Sequence, residues 1–214
     1  DTLRNEPILV SMQIRINEHQ RTLQDIRTLF LETRLSESQL IELQSLVRGI
    51  ETHSQLVPAM HGERVILIHS FRYQSQLIAS NFDPAGFPKQ TTDNVNDSPR
   101  PEDCAKTLEF VSALIAAAQL SSQEILPETD RVFQELQALA DTKDKLTKWR
   151  FVITIHMVPP VRGILVTDLQ VQALRDLIDL GIAARRYAAA KDRLPQTEAD
   201  LVPMFLPRWP NDPF

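Results

Sequence analysis

Apolar residues in this chain recur at steps of three and four, and that period predicts helices along nearly its whole length. From about Pro7 to Thr33 the series Leu9, Met12, Ile16, His19, Leu23, Ile26, Phe30 forms a heptad seam. Ser36 and Gln39 then stand at capping-box spacing, and Leu35 and Leu40 at the spacing of a hydrophobic staple. A second helix follows, with Leu40, Leu43, Val47 and Ile50 inward, and ends before Pro58. The short link between the two implies an antiparallel pair.

Two runs carry β-branched residues that would suit strands. The first holds Val65, Ile66 and Ile68 within 58–81, and the second is FVITIHMV at 151–158. The first is long, lacks turn residues and places Met60, Leu67, Phe71 and Ile78 at near-helical spacing, so a buried helix is predicted. A lone strand at 151–158 could not satisfy its own backbone groups, so helix is predicted there too, ending at Pro159–Pro160.

Between the two runs, residues 82–101 hold Pro84, Gly86, Pro88, Pro99 and Pro101 among polar side chains, and read as a long loop that Phe82 and Phe87 could pin. A fourth helix is expected from about Glu102, with Cys104, Leu108, Val111, Ile115 and Ala118 on one side. Ser121 and Ser122 mark a break. A fifth helix is expected from Pro127, carrying Val132, Leu136, Leu139 and Leu146.

The longest periodic stretch runs from Pro160 to about Lys191, roughly 45 Å at the α-helical rise. Val166, Leu169, Ala173, Leu177, Leu180, Ala184 and Tyr187 are its expected buried face, with Arg162, Arg175, Asp176, Asp179, Arg185 and Arg186 mostly off it. The small side chains of Ala188, Ala189 and Ala190 would let another segment approach closely, and the tail at 192–214 is the obvious one. Pro195, Pro203, Pro207, Pro210 and Pro213 favour an extended course there. Leu194, Leu201, Met204, Phe205, Leu206, Trp209 and Phe214 carry more apolar bulk than a disordered tail would. The tail reads as a helical turn capped by Thr197, then a strap packed onto the helices. The fold class is therefore all-α, an antiparallel bundle of about six helices in a single domain over 1–214, with the 82–101 loop and the 192–214 strap.

Composition narrows the function classes. Hydrophobic content of 43% and charged content of 24% are those of a globular protein. A net charge of −5 without a lysine- or arginine-rich cluster gives nucleic acid no electrostatic footprint. Five glycines argue against a phosphate-cradling loop. The single cysteine, Cys104, excludes an internal disulfide or a multi-cysteine zinc site and reads as a buried, inert thiol. No apolar run is long enough to span a membrane. The chain opens at Asp1 rather than at a methionine, so something is expected to have been removed ahead of it, by processing or otherwise.

The histidines are His19, His53, His61, His69 and His156, with no HExxH pair among them. His19 on the seam is expected to be a hydrogen-bonded interfacial residue. His61 and His69 could share a helix face, with Glu63 and Arg64 between them, so His61, Glu63, Arg64 and His69 are the candidate ligand-binding residues. Glu63 and Arg64 sit inside an apolar segment and are expected to form a structural ion pair. There is no GxSxG elbow, GxGxxG loop or Walker sequence. Glu198 and Asp200 read as first-turn helix charges rather than a glycosidase dyad. No catalytic residue, metal site or cofactor is expected.

Two stretches, HGERVILIHSF and ARRYAAAKDRLPQTEADLVPMFLPRWPNDPF, resemble a GER helix and a terminal RY…G-RLP…LVP…P-x-DPF module. Together they look like a group of uncharacterised exported proteins of planctomycete bacteria, which have a membrane-anchoring helix ahead of a helical domain. The resemblance implies structural roles for Gly62, Tyr187, Leu194, Pro195, Pro203, Asp212 and Pro213, and an extracytoplasmic location. Members of that group commonly carry glycine where Asp192 stands here, and continue past DPF with a glycine and a tyrosine-containing strand. The terminal motif also resembles the C-terminal part of type II secretion pseudopilins, but their methylated apolar N-terminal helix is absent.

The expected function is a non-enzymatic scaffold or interaction domain at the cell envelope. It would engage an unidentified protein partner, and the membrane only through a segment outside this chain. A ligand- or metal-binding protein or hydrolase built on His61, Glu63 and Arg64, and a pseudopilin-like assembly subunit, are the alternatives.

Overall fold

A computed structural model describes residues 6–50, 55–73 and 101–214. Most of the expected 82–101 loop, with Phe82 and Phe87, lies outside these residues, as do His53 and Ile78. The protein is all-α, and no strand occurs among the described residues. The helices are α1 (Leu9–Glu32), α2 (Glu37–Arg48), α3 (Leu56–Tyr73), α4 (Pro101–Ala117), α5 (Ser122–Ala140), α6 (Lys145–Arg150), α7 (Val152–Met157), α8 (Val161–Lys191) and α9 (Glu198–Leu201). Both β-branched runs are helical, in α3 and α7.

The residues group into two compact units. One comprises Val10–Gln55 and Gly163–Phe214, the other Glu6–Leu9 and Leu56–Arg162.

In the first unit, α2 begins as its capping box predicts. Gln39 Oε1 accepts from the Ser36 N–H at 2.9 Å, and Ser36 Oγ accepts from the Gln39 N–H at 3.4 Å. Leu40, Leu43 and Val47 are buried. The buried face of α8 differs from the expected one. Leu165, Leu169, Val171, Ile178, Ile182, Ala183 and Tyr187 are buried, whereas Leu177 is 66% exposed. The three-four series admits two registers here, and packing selects the one through Ile178 and Ile182. The strap lies on α8, with Leu201, Phe205 and Leu206 forming a core with Ala183 and Tyr187. Four apolar residues expected to pack point outward instead: Leu194 is 68% exposed, and Met204, Trp209 and Phe214 are also exposed.

In the second unit, α4 is central and packs on α3, α5 and α7. Its buried side carries Asp103, Thr107, Phe110, Val111, Leu114, Ile115 and Ala117, while Cys104 and Leu108 are only half-buried. Val111, Ile115 and Ala118 are buried as expected, and the face departs from the expected one only at its start, where the polar pair Asp103 and Thr107 is buried in place of Cys104 and Leu108. Helix α5 starts at Ser122 rather than Pro127. The Glu124 carboxylate accepts from the Ser121 N–H and hydroxyl at 3.4 and 2.6 Å and opens the helix a turn early, leaving Pro127 inside it. Leu146, expected on α5, lies on the separate α6 and is 76% exposed.

The stretch Val152–Lys191 is long and apolar enough to cross a membrane by length and composition, contrary to the expectation from apolar runs alone. It contains the break at Pro159–Pro160 between α7 and α8 and the buried Asp168. The core helix of a water-soluble protein passes the same test.

Candidate functional site

The GER motif sits on α3, and its first two residues grip the beginning of α1. A Cβ on Gly62 would stand 1.5 Å from the Pro7 carbonyl oxygen and 2.6 Å from the Pro7 carbonyl carbon. Only a residue without a side chain lets these backbones meet. One position on, Glu63 Oε1 accepts from the Leu9 N–H at 3.0 Å. The four leading N–H groups of a helix have no partner within it, and a carboxylate there also meets the positive end of the helix dipole. Glu63 therefore caps α1 from another helix.

The expected Glu63–Arg64 ion pair is not formed. Arg64 is half-buried and makes no hydrogen bond or ion pair among the described residues. His61 and His69 are both exposed. No group of three His, Cys, Asp or Glu able to hold a metal occurs among the described residues. The four candidate ligand residues thus share one helix, and the structure gives Glu63 a capping role.

A second polar centre joins α2, α8 and the strap. Gln44 is 2% exposed. Its Nε2 donates to Asp179 Oδ1 and, at 3.1 Å, to the Phe205 carbonyl, and its Oε1 accepts from Arg186 Nη1 at 2.7 Å. Arg48 donates to the same Phe205 carbonyl at 2.9 Å and to Asp179 Oδ2 at 2.8 Å. Arg186 also pairs with Glu37 at 2.7 Å and lies over the Phe205 ring, 5.5 Å from its centroid. The Phe205 ring meets Tyr187 edge-on at 5.7 Å. The strap is held by its backbone and its ring together.

Asp200 closes this arrangement. Its carboxylate accepts from the Gln196 N–H at 2.8 Å, the Thr197 N–H at 3.1 Å, the Tyr187 hydroxyl at 2.8 Å and Arg193 at 3.0 Å. These donors, the Gln196 backbone foremost, hold its carboxyl well below the usual carboxylate range. Burial, and then the bond to Asp200, raise the Tyr187 phenol. Among the motif residues, Tyr187 and Pro213 are buried, Pro195 is half-buried, and Leu194, Pro203 and Asp212 are exposed. The Val202–Pro203 bond is cis, and Asp212 Oδ1 accepts from the Phe214 N–H at 3.0 Å.

Two further polar sites escaped the sequence. Asp103 is 1% exposed, and its carboxylate accepts from the Ile153 N–H at 2.9 Å, the Thr154 N–H at 2.9 Å and the Thr154 hydroxyl at 2.7 Å. It caps α7 from α4, as Glu63 caps α1 from α3. Beside it, burial and then the Asp103 charge push the Cys104 thiol up to about 11, so it stays protonated and unreactive at neutral pH. Arg185 donates to the Phe30 and Thr33 carbonyls at 2.9 and 3.0 Å, satisfying the end of α1. Gln44 left a signal, since it takes an inward position between Leu40 and Val47; Asp103 left none.

An open cleft of about 460 Å³ lies beside α6, lined by Pro101, Glu102, Asp144, Leu146, Thr147, Trp149 and Arg150. Its charges are engaged internally. Glu102 pairs with Arg150 at 2.6 Å, and Asp144 accepts from the Leu146 N–H and Thr147 hydroxyl at 3.0 and 2.6 Å.

No family model, curated protein or solved structure matches this chain.

Proposed function

We propose that the protein is a non-enzymatic scaffold or interaction domain that works at the cell envelope, with a protein as its partner and its membrane attachment supplied by a segment outside this chain. One observation carries the non-enzymatic part of this reading. Two carboxylates of the distinctive motifs are engaged within the protein itself: Glu63 caps α1, and Asp200 takes the strap's amides and the Tyr187 hydroxyl. A catalytic acid or base must reach a substrate proton, and a carboxylate that caps a helix is already committed. The envelope location rests on the resemblance of the GER and RLP…DPF motifs to exported planctomycete proteins.

The test has two arms. Purified protein is expected to show no turnover on hydrolase panels; turnover abolished by Glu63→Gln or Arg64→Ala would replace this reading with an enzyme. The product of the full native gene is expected in the envelope fraction of its cell, and recovery in the cytosolic fraction would remove the location.

A further inference from the structure

The chain is acidic as a whole, yet Lys143, Lys145, Lys148 and Arg150 fall within eight residues. This corrects the expectation of no lysine- or arginine-rich cluster: with Asp141 and Asp144 counted, residues 141–150 carry a net charge of about +2 within a chain of −5. On the structure these residues border and form α6. Arg150 is held by Glu102. Lys143, Lys145 and Lys148 make no ion pair among the described residues, and Lys143 and Lys145 are exposed. The nearby acids are Asp141, Asp144 and Glu102, of which Asp144 caps α6 and Glu102 is neutralised by Arg150.

The same short helix displays apolar bulk outward. Leu146 is 76% exposed and Trp149 40% exposed. Three residues apart on one helix, they share a side. Lys145 and Lys148, also three apart, share the neighbouring side. An exposed leucine and an indole flanked by lysines is the chemistry of a membrane interface. The indole sits at headgroup depth, and lysines meet anionic phosphates while their stems lie along apolar surface. A nucleic acid would call for a longer stripe of cations and has no use for the leucine.

We propose that the α6 corner, Lys143 to Arg150, is a peripheral contact for an anionic lipid surface, with Leu146 and Trp149 inserting and Lys143, Lys145 and Lys148 pairing with headgroup phosphates. The proposal rests on the envelope reading above, which supplies the membrane, and adds a contact made by this chain itself. Three lysines and two apolar side chains give weak, reversible binding, suited to orienting a protein already held nearby.

The experiment uses the whole chain with Trp209→Phe, so that Trp149 is the sole indole. It is mixed with vesicles of phosphatidylcholine, or of phosphatidylcholine containing one-quarter phosphatidylglycerol. Flotation is expected to recover more protein on the anionic vesicles, with Trp149 emission shifting to the blue. Each lysine replaced by glutamine is expected to lower the partition coefficient about fivefold at low salt. Leu146→Ser is expected to lower it on the same vesicles. Circular dichroism checks that these surface variants keep their helices. Equal recovery on neutral and anionic vesicles, or a triple lysine variant that floats like its parent, overturns the proposal. Preference for a duplex oligonucleotide over vesicles also overturns it and assigns the patch to nucleic acid. Failure here with the native product still in the envelope fraction would defeat this contact alone; vesicle binding by a cytosolic protein would defeat the envelope reading alone.

Discussion

Asp192 follows the last residue of α8 with φ at 53°, in the left-handed region. Its N–H still reaches the Ala188 carbonyl at 2.9 Å. The backbone there makes the helix-ending turn for which glycine is the usual residue. A side chain in that region costs about 1–2 kcal/mol, offset by the roughly 0.5–1 kcal/mol of extra unfolded-state freedom that glycine brings. Asp192→Gly is therefore expected to stabilise by about 0.5–1 kcal/mol, measured by urea unfolding. Gly62 gives the opposite sign. Alanine normally gains about 0.5–1 kcal/mol over glycine within a helix. At Gly163, where an added Cβ meets nothing within 4 Å, Gly163→Ala is expected to show some of that gain. At Gly62 the Cβ would overlap the Pro7 carbonyl, and Gly62→Ala is expected to destabilise by about 1–3 kcal/mol or to free the first turn of α1. Amide exchange at Leu9 and its neighbours separates those two outcomes.

At the scale of elements, helix ends are finished by side chains from other helices. Glu63, Asp103 and Arg185 each satisfy backbone groups of a helix other than their own. The strap's turn is instead finished from within, by Asp200 on the Gln196 and Thr197 amides, and this makes its hold depend on pH. The Asp200 carboxyl is depressed in the folded protein. Its contribution is present above the unfolded value of about 3.9 and is lost as pH falls from there toward the folded value. Thermal unfolding at a series of pH values is expected to show wild type above Asp200→Asn at neutral pH, with the gap narrowing below about pH 4. A gap of constant size would mean that the ionised carboxylate holds the strap no better than the protonated one. The local signals legible in the sequence were of this size too. Ser36 with Gln39, and Thr197 ahead of α9, were readable because a cap and its partner lie three residues apart. Glu63 with Leu9, and Asp103 with Thr154, were not, because their partners are brought close only by folding.

For the molecule as a whole, the strap is part of the core of its unit rather than an appendage. Leu201, Phe205 and Leu206 are buried against Ala183 and Tyr187. Burying a large apolar side chain contributes about 1.5–3 kcal/mol, so three of them approach the total stability of a typical domain, about 5–15 kcal/mol. Deleting 192–214 is expected to abolish cooperative unfolding of the unit containing α8 and to induce binding of a hydrophobic dye. A truncated chain that kept a sharp transition and bound no dye would show the strap to be dispensable. Sequence alone determined the all-α class, the helical state of both β-branched runs and the docking of a tail too apolar to stay in water. Hydrophobic period, chain length between breakers and the demand of every backbone group for a partner are local quantities that the chain carries with it. Tertiary structure decided which of two faces α8 buries, that Asp103 and Thr107 join the buried face of α4, why Gly62 must lack a side chain, and that Glu63 caps a helix instead of pairing with Arg64. Each of those depends on which distant part of the chain comes into contact, which no spacing along the chain encodes.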